Sequence, residues 1–274
     1  MSKSSTMAPG APDRDVDFTS LHSLQGKVAY VPGGAGGLGE AISRGLAALG
    51  ARVVVGGRDL PKLTKLVESL RSHGREAQAA AFDAGSVEDI RRSVDAVCDH
   101  YGACDILVNC VGIHREESVL EVTEATYDHV LAVNLKAGMF LGQAVARRQV
   151  AAAKGGKQVH LLSVRAQLGL RGKGYSSYAS SKGGLLMIVK QHASELAPHG
   201  INVNGVAPTF VYTEMIRHVV ENPAFQKSVI DRIPLGRIAD PKDVVGPVQF
   251  FCLPASDFVT GQILYVDGGL TACQ

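Results

Sequence analysis

The chain has 274 residues, 46% of them apolar and 20% charged. That composition is globular and excludes a chain disordered from end to end. A net charge of only +2 leaves too few surplus basic groups for a protein built mainly to bind nucleic acid or a membrane surface.

Residues 1–24 carry Ser, Pro, Gly and Asp without an apolar period and are expected to form a flexible arm. Residues 25–274 are expected to form one domain. Val28–Val31 is an apolar run followed at once by Pro32-Gly33-Gly34-Ala35-Gly36-Gly37-Leu38-Gly39. Beyond it, Ala41, Ile42, Leu46, Ala47 and Leu49 recur at helical spacing. The unit then repeats: strand Arg52–Val55, helix Leu60–His73, strand Ala79–Phe82, and helix Ser86–Tyr101 with Ser86 as N-cap. Strand Ile106–Val108 is followed by a long helix over Thr126–Ala152, then strand Gln158–Leu162 and helix Tyr178–Leu196. Strand Ile201–Val206 leads into a polar, Pro-containing stretch, and Ile263–Val266 is the last strand. Alternating strands and helices predict an α/β fold: one doubly wound domain with a seven-stranded parallel sheet and helices on both faces. The segment at about 209–240 breaks the alternation at a strand's carboxyl end, where a substrate loop belongs.

No run of about 18 apolar residues occurs, so no spanning helix is expected. Residues 1–26 lack the apolar core of a secretory leader. The five cysteines are odd in number and form no C-x-x-C pair, which favours free thiols in a reducing cytoplasm. The histidines are scattered and no H-E-x-x-H occurs, so no metal site is expected.

The glycines between the first strand and helix point at a ligand. A turn there aims free backbone N–H groups and the positive end of the helix dipole at one place, which suits a pyrophosphate. Gly33, Gly37 and Gly39 remove the Cβ atoms that would block the approach, and the amide of Leu38 lies among them. At the end of the second strand an acid would hold the adenosine ribose of NAD(H). Gly57 stands at that place and Arg58 follows. A guanidinium suits a 2′-phosphate, so NADP(H) is favoured and NAD(H) stays possible, with Arg58 as a plain surface charge the competing reading. Asp83, after the third strand, has two readings: a cofactor contact or a helix-capping acid.

Tyr178 and Lys182 are four residues apart in a predicted helix and share a face. An ammonium near a phenol pulls its pKa down, and the pair can then exchange a proton with an alcohol oxygen. Ser163 ends the fifth strand, on the side where a doubly wound sheet opens its crevice. Asn134 interrupts an apolar helix, and a buried amide there needs partners. Asn109-Cys110-Val111-Gly112 ends the fourth strand, where Gly112 allows close backbone approach. Cys110 beside this crevice reads either as an alkylation-sensitive thiol or as a small buried apolar residue.

These residues resemble the short-chain dehydrogenase/reductase family over about residues 26–272. The family's turn is written T-G-x-x-x-G-x-G, and here Pro32 replaces the threonine, which removes a hydroxyl and an N–H from the turn. Its Asn-Ser-Tyr-Lys set falls on Asn134, Ser163, Tyr178 and Lys182, and its Asn-Asn-Ala-Gly segment on Asn109–Gly112. Its Pro-Gly appears as Pro208-Thr209, and its nicotinamide-contacting threonine falls on Thr213. The resemblance implies reversible hydride transfer between a nicotinamide nucleotide and a carbonyl. Tyr178 is the implied proton donor and acceptor, with Lys182 lowering its pKa and holding the ribose. Ser163 polarises the carbonyl, and Asn134 holds a water beside Lys182. The adenine contact at Asp83 and a homotetramer built through the long helices also follow from the resemblance.

His114, Arg115, Arg165, Gln167 and Tyr212, with Arg217, are the candidate substrate contacts; each alone also reads as a solvated loop residue. Together they suit a small polar hydroxy acid or sugar-type alcohol, because arginine pairs with carboxylate. Within the family the chain is similar to sugar-acid dehydrogenases of the gluconate 5-dehydrogenase type and to 3-oxoacyl carrier-protein reductases. A non-catalytic nucleotide-binding regulator is the alternative from another class.

Overall fold

The structure is a computed structural model that describes residues 17–214, 217 and 221–273. Seven strands form one parallel sheet: β1 Val28–Pro32, β2 Arg52–Gly57, β3 Ala77–Ala81, β4 Ile106–Asn109, β5 Gly156–Leu161, β6 Ile201–Pro208 and β7 Ile263–Val266. They lie in the order β3-β2-β1-β4-β5-β6-β7. The order reverses between β1 and β4, so the crevice opens beyond the carboxyl ends of these strands. β1 is buried at all five positions, as a strand covered on both faces must be.

The helices are α1 Gly37–Ala48, α2 Leu60–Ser72, α3 Val87–Tyr101, α4 Glu124–Leu131, α5 Ala137–Ala152, α6 Ser176–Leu196, α7 Pro223–Ile230 and α8 Pro241–Cys252. One core layer joins α1, α2 and α8 to the sheet through Leu46, Leu63, Val244 and Phe251 against Val53 and Val55. The opposite layer sets Ile90 and Val94 of α3 and Leu141 and Val145 of α5 against Tyr30 and Val54. Ser86 caps α3 by accepting from the Asp89 amide, as its sequence position predicts.

Two expectations need correction. The single helix over Thr126–Ala152 is divided: a π turn, Ala132–Lys136, separates α4 from α5. It places Asn134 fully inside, where the amide binds a neighbouring loop instead of facing along the helix. The stretch after β6 is also more helical than its polarity implies. α7 begins at Asn222-Pro223, with Asn222 accepting from the Ala224 and Phe225 amides. α8 begins at Asp240-Pro241, where Asp243 accepts from the Asp240 amide at 2.8 Å. An Asx cap followed by proline at the first helical position is a start signal.

Of the expected arm, residues 1–16 lie outside the described residues. Its last part is placed: Ser20–His22 form a 3₁₀ turn and Leu24 is buried in the core.

Candidate active site

The glycine turn is fixed by its neighbours. The Gly33 and Gly34 amides both donate to Gly56 O of β2, at 2.8 and 3.2 Å. This brace does not need the N–H that Pro32 lacks, so the proline ends β1 without loosening the turn. Gly33 has φ +78°, and a Cβ there would lie 2.7 Å from the Cys110 carbonyl. At Gly39 a Cβ would meet Gly33 O at 2.1 Å. α1 opens at Gly37, so the first-turn amides of Gly37, Leu38 and Gly39 have no partner within the helix. Thr213 lies across this turn: a Cβ on Gly37 would come within 2.9 Å of its Cβ.

Arg58 is exposed at the end of β2, with no side-chain partner among the described residues. Asp83 is exposed; one oxygen accepts from the Gly85 amide at 2.9 Å, while the capping of α3 falls to Ser86. Asn109, buried at the end of β4, accepts from Val111 N at 3.0 Å and fixes the following turn. Gly112 faces the catalytic side, since a Cβ on it would lie 3.4 Å from Lys182 Nζ. Pro208 ends β6, and Thr209 Oγ1 beside it is buried without a partner. A cradle that only glycine can line, free helix-end amides and an orphaned hydroxyl together fit a bound dinucleotide.

Ser163 lies two residues beyond β5 and caps a 3₁₀ turn, Val164–Ala166, while Tyr178 and Lys182 lie on the first turns of α6. The Ser163 oxygen accepts from the Arg165 amide at 3.1 Å, and its hydroxyl lies near enough to the Tyr178 phenol to act on its pKa. Burial raises the Tyr178 pKa, and Ser163 opposes that rise. Lys182 Nζ donates to Leu161 O at 2.8 Å and sits 5.8 Å from the Tyr178 ring centroid. Burial lowers its pKa to about 8. Sequence reasoning made Lys182 the group that depresses the phenol pKa; in this structure burial governs both residues and holds the phenol in its neutral form. Asn134 lies on the Lys182 side of Gly112, where a Cβ would come 3.8 Å from its Oδ1. Its amide accepts from Ile113 N at 2.8 Å and donates to Ile113 O at 2.9 Å and Ser181 Oγ at 3.0 Å. The side chain therefore fastens the loop after β4. Burial also pushes the Cys110 thiol up to about 12, far from a reactive thiolate.

The substrate candidates divide. His114 packs edge-on against Tyr178, with ring centroids 5.1 Å apart, and both its ring nitrogens are buried without partners. Arg165 is buried at 5% exposure close to Tyr178. Arg115 and Gln167 are exposed, and Tyr212 turns its hydroxyl to Glu221 at 3.4 Å. Arg217 is exposed near the same Glu221. Two neighbours escaped sequence reasoning. Tyr175 stacks 4.3 Å from His114, and its place three residues before Tyr178 was the available signal. Arg232 acts on Arg165 through its charge, a relation that no local sequence pattern carries.

A family profile described as Enoyl-(Acyl carrier protein) reductase matches residues 33–271. The 5-keto-D-gluconate 5-reductase of Escherichia coli K12 is 36% identical over 253 residues, spanning 92% of this chain and 98% of that protein. The 2-dehydro-3-deoxy-D-gluconate 5-dehydrogenase of the same strain is 35% identical over 254 residues, with the same shares covered. The structure of a gluconate 5-dehydrogenase from Burkholderia cenocepacia J2315, in complex with NADP and tartrate, superposes with a TM-score of 0.89 at 34% identity. That match covers 93% of this chain and 99% of the other. The chain belongs to the short-chain dehydrogenase/reductase family. It is an oxidoreductase acting on CH–OH groups, with a nicotinamide nucleotide as the partner in the reaction.

Proposed function

We propose that the protein interconverts a secondary alcohol and a ketone on a sugar-type hydroxy acid, using NADP(H). The observation that carries this reading is the meeting of Ser163, Tyr178 and Lys182 at one crevice, next to a turn only glycine can form. A nicotinamide nucleotide held beside these residues would supply or accept the hydride. In reduction the Tyr178 hydroxyl donates a proton to the carbonyl oxygen, and burial keeps that proton on the phenol at neutral pH. The Ser163 oxygen is engaged by the Arg165 amide, so its O–H is free to turn between the phenol and the substrate oxygen. Lys182, fixed by Leu161 O, keeps two further N–H donors, which hold the nicotinamide ribose beside Gly112. Asn134 positions this corner through Ile113.

The first-turn amides at Gly37, Leu38 and Gly39 hold the pyrophosphate, and Arg58 takes the 2′-phosphate. Asp83, Asn109, Pro208 and Thr213 complete the nucleotide site. His114 and Arg165 meet the substrate, with Arg115, Gln167 and Tyr212 at the rim. The NADP of the Burkholderia relative and the sugar-acid names of the Escherichia coli relatives support these assignments. Residues 25–274 act as one catalytic domain with its substrate loop at about 209–240. No helix of the described residues is long and apolar enough to cross a membrane, and the enzyme works in the cytoplasm. It works as a homotetramer. An open apolar groove of about 670 Å³ between α4, α5 and α6, lined by Leu131, Leu135, Met139, Phe140 and Ile188, supports contact through those helices.

The test offers NADPH and NADH separately with keto-acids, keto-sugars and simple diketones, following nicotinamide absorbance. Turnover of keto-acids with NADPH is expected. Turnover with NADH alone overturns the cofactor assignment. Binding of nucleotide with no turnover of any carbonyl favours the regulatory alternative. Light scattering on the same sample checks the tetramer.

A further inference from the structure

Arg165 is a buried cation with no anion. Its Nη1 donates to Gly169 O at 2.6 Å and Leu168 O at 3.3 Å. Its Nη2 is buried without any partner. No carboxylate pairs with it among the described residues, although a buried charge normally requires one. A second cation, Arg232, stands just beyond α7 and near enough for its charge to act on Arg165. The surrounding contacts fix this juxtaposition. Leu168, whose carbonyl accepts from Arg165, packs against a cluster that includes Val229 and Ile233, which flank Arg232 along the chain. Arg232 is exposed, and two like charges near one another repel unless an anion lies between them.

Arg165 also lies beside the reacting corner. The Arg165 charge reaches the phenols of both Tyr175 and Tyr178. His114, with two unpartnered nitrogens, packs against the same two rings. The glycine turn at α1 is a different element, so this cation does not belong to the phosphate cradle.

We propose that Arg165 and Arg232 form an anion subsite that holds a carboxylate of the substrate, fixing which carbon of a polyhydroxy acid is presented to Tyr178. The inference rests on the functional reading above for its catalytic consequence, but not for anion binding itself. A guanidinium already tethered to two carbonyls presents its remaining N–H groups in a fixed direction, which favours a planar carboxylate over a diffuse charge. An amine substrate would meet two positive charges here.

The test has two arms. In the first, tartrate is titrated by calorimetry into protein saturated with NADP⁺. Wild type binds tartrate, Arg165→Met weakens it about 100-fold, and Arg232→Ala weakens it about 10-fold, as for a more exposed partner. Arg165→Lys recovers part of the loss, which a purely structural role would not give. The melting temperature and NADPH affinity of each variant are measured alongside to exclude misfolding. In the second arm, kcat/KM is compared for D-gluconate and the uncharged polyol sorbitol. The acid-to-polyol ratio collapses in Arg165→Met, mainly through KM. No tartrate binding by wild type, or equal binding by a folded Arg165→Met, overturns the subsite. Tartrate binding that depends on Arg165, with neither gluconate nor any other sugar acid turned over, upholds the subsite and overturns the substrate reading instead.

Discussion

The nucleotide half and the substrate half of this crevice are built on different principles. Around the glycine turn the backbone does the work. Gly33 and Gly39 lie where any Cβ would strike backbone atoms at 2.7 and 2.1 Å, and two amides lock the turn to Gly56. Nothing there depends on a side chain being poised. Around Tyr178 the reverse holds. His114, Arg165, Tyr175 and Arg232 come from three separate segments, and His114 and Arg165 keep polar atoms unpartnered inside the protein. A rigid cradle for an invariant ligand and a set of unsatisfied side chains for a particular one are the two parts an enzyme of changing specificity must keep apart.

Substitutions at Tyr178 break this division most sharply. Tyr178→Phe removes the proton donor and leaves the cradle intact, so kcat is expected to fall about 10³-fold while NADPH affinity, read by fluorescence, holds. Gly39→Ala does the opposite. Its methyl has no room against the Gly33 carbonyl, which belongs to backbone and cannot swing away. Stability falls by about 2 kcal/mol, measured by denaturant titration, and nucleotide affinity falls with it. An alanine that binds NADPH normally would show that the cradle is softer than its geometry implies.

Lys182 tests the boundary between the halves. Its buried ammonium has a pKa near 8 against an ordinary 10.5, so below pH 8 the folded state bears the full cost of burying it. Between about 8 and 10.5 the unfolded chain binds more protons than the native one, and stability rises with pH. Lys182→Met loses turnover, yet without nucleotide it is expected to be more stable than wild type at pH 7, by about 1 kcal/mol after the lost bond to Leu161 O is set against the relieved charge. That advantage shrinks as pH rises through 8 toward 10.5. Unfolding curves at pH 7 and 10 check both statements; an advantage that grows with pH would contradict them. Arg58→Ala comes next: NADPH affinity is expected to drop about 10-fold with NADH affinity unmoved, and equal effects on both would make Arg58 a surface charge.

The same division explains what the sequence disclosed. The sheet, the glycine turn and the four residue types proposed for catalysis are carried by local patterns: alternation, glycine spacing, a Tyr and a Lys one helical turn apart. α7 and α8 were legible in principle, since Asn222-Pro223 and Asp240-Pro241 both announce a helix start, but the polarity around them hid it. The π turn at Ala132–Lys136 was not legible, because it follows from the bonds of Asn134 to Ile113, which is 21 residues away. Arg165 could be named from its place after Ser163. The nearness of Arg232 could not, because it depends on how α7 and Leu168 pack on one cluster.

The smallest expected effect lies where the specificity segments touch one another. Lys173 binds Glu116 at 2.9 Å and sits 5.7 Å from the Phe225 ring centroid, so one side chain joins the loop after β4, the loop before α6 and α7. Its position suggests a latch, but the energetics argue for a weak one. Both charges are partly solvated, and pairs of this kind contribute less than about 1 kcal/mol. The two loops are also joined without it, because the Glu117 amide donates to Gly174 O at 3.0 Å. Lys173→Ala removes the Glu116 pair and the contact with α7, while the backbone link between the two loops stays. Substrate KM should therefore rise about two-fold, with kcat and NADPH affinity unchanged, and added salt should reproduce most of the change in wild type. A ten-fold rise in KM would mean that α7 is held in place chiefly by this lysine, and that the two halves of the crevice are less separable than their construction implies.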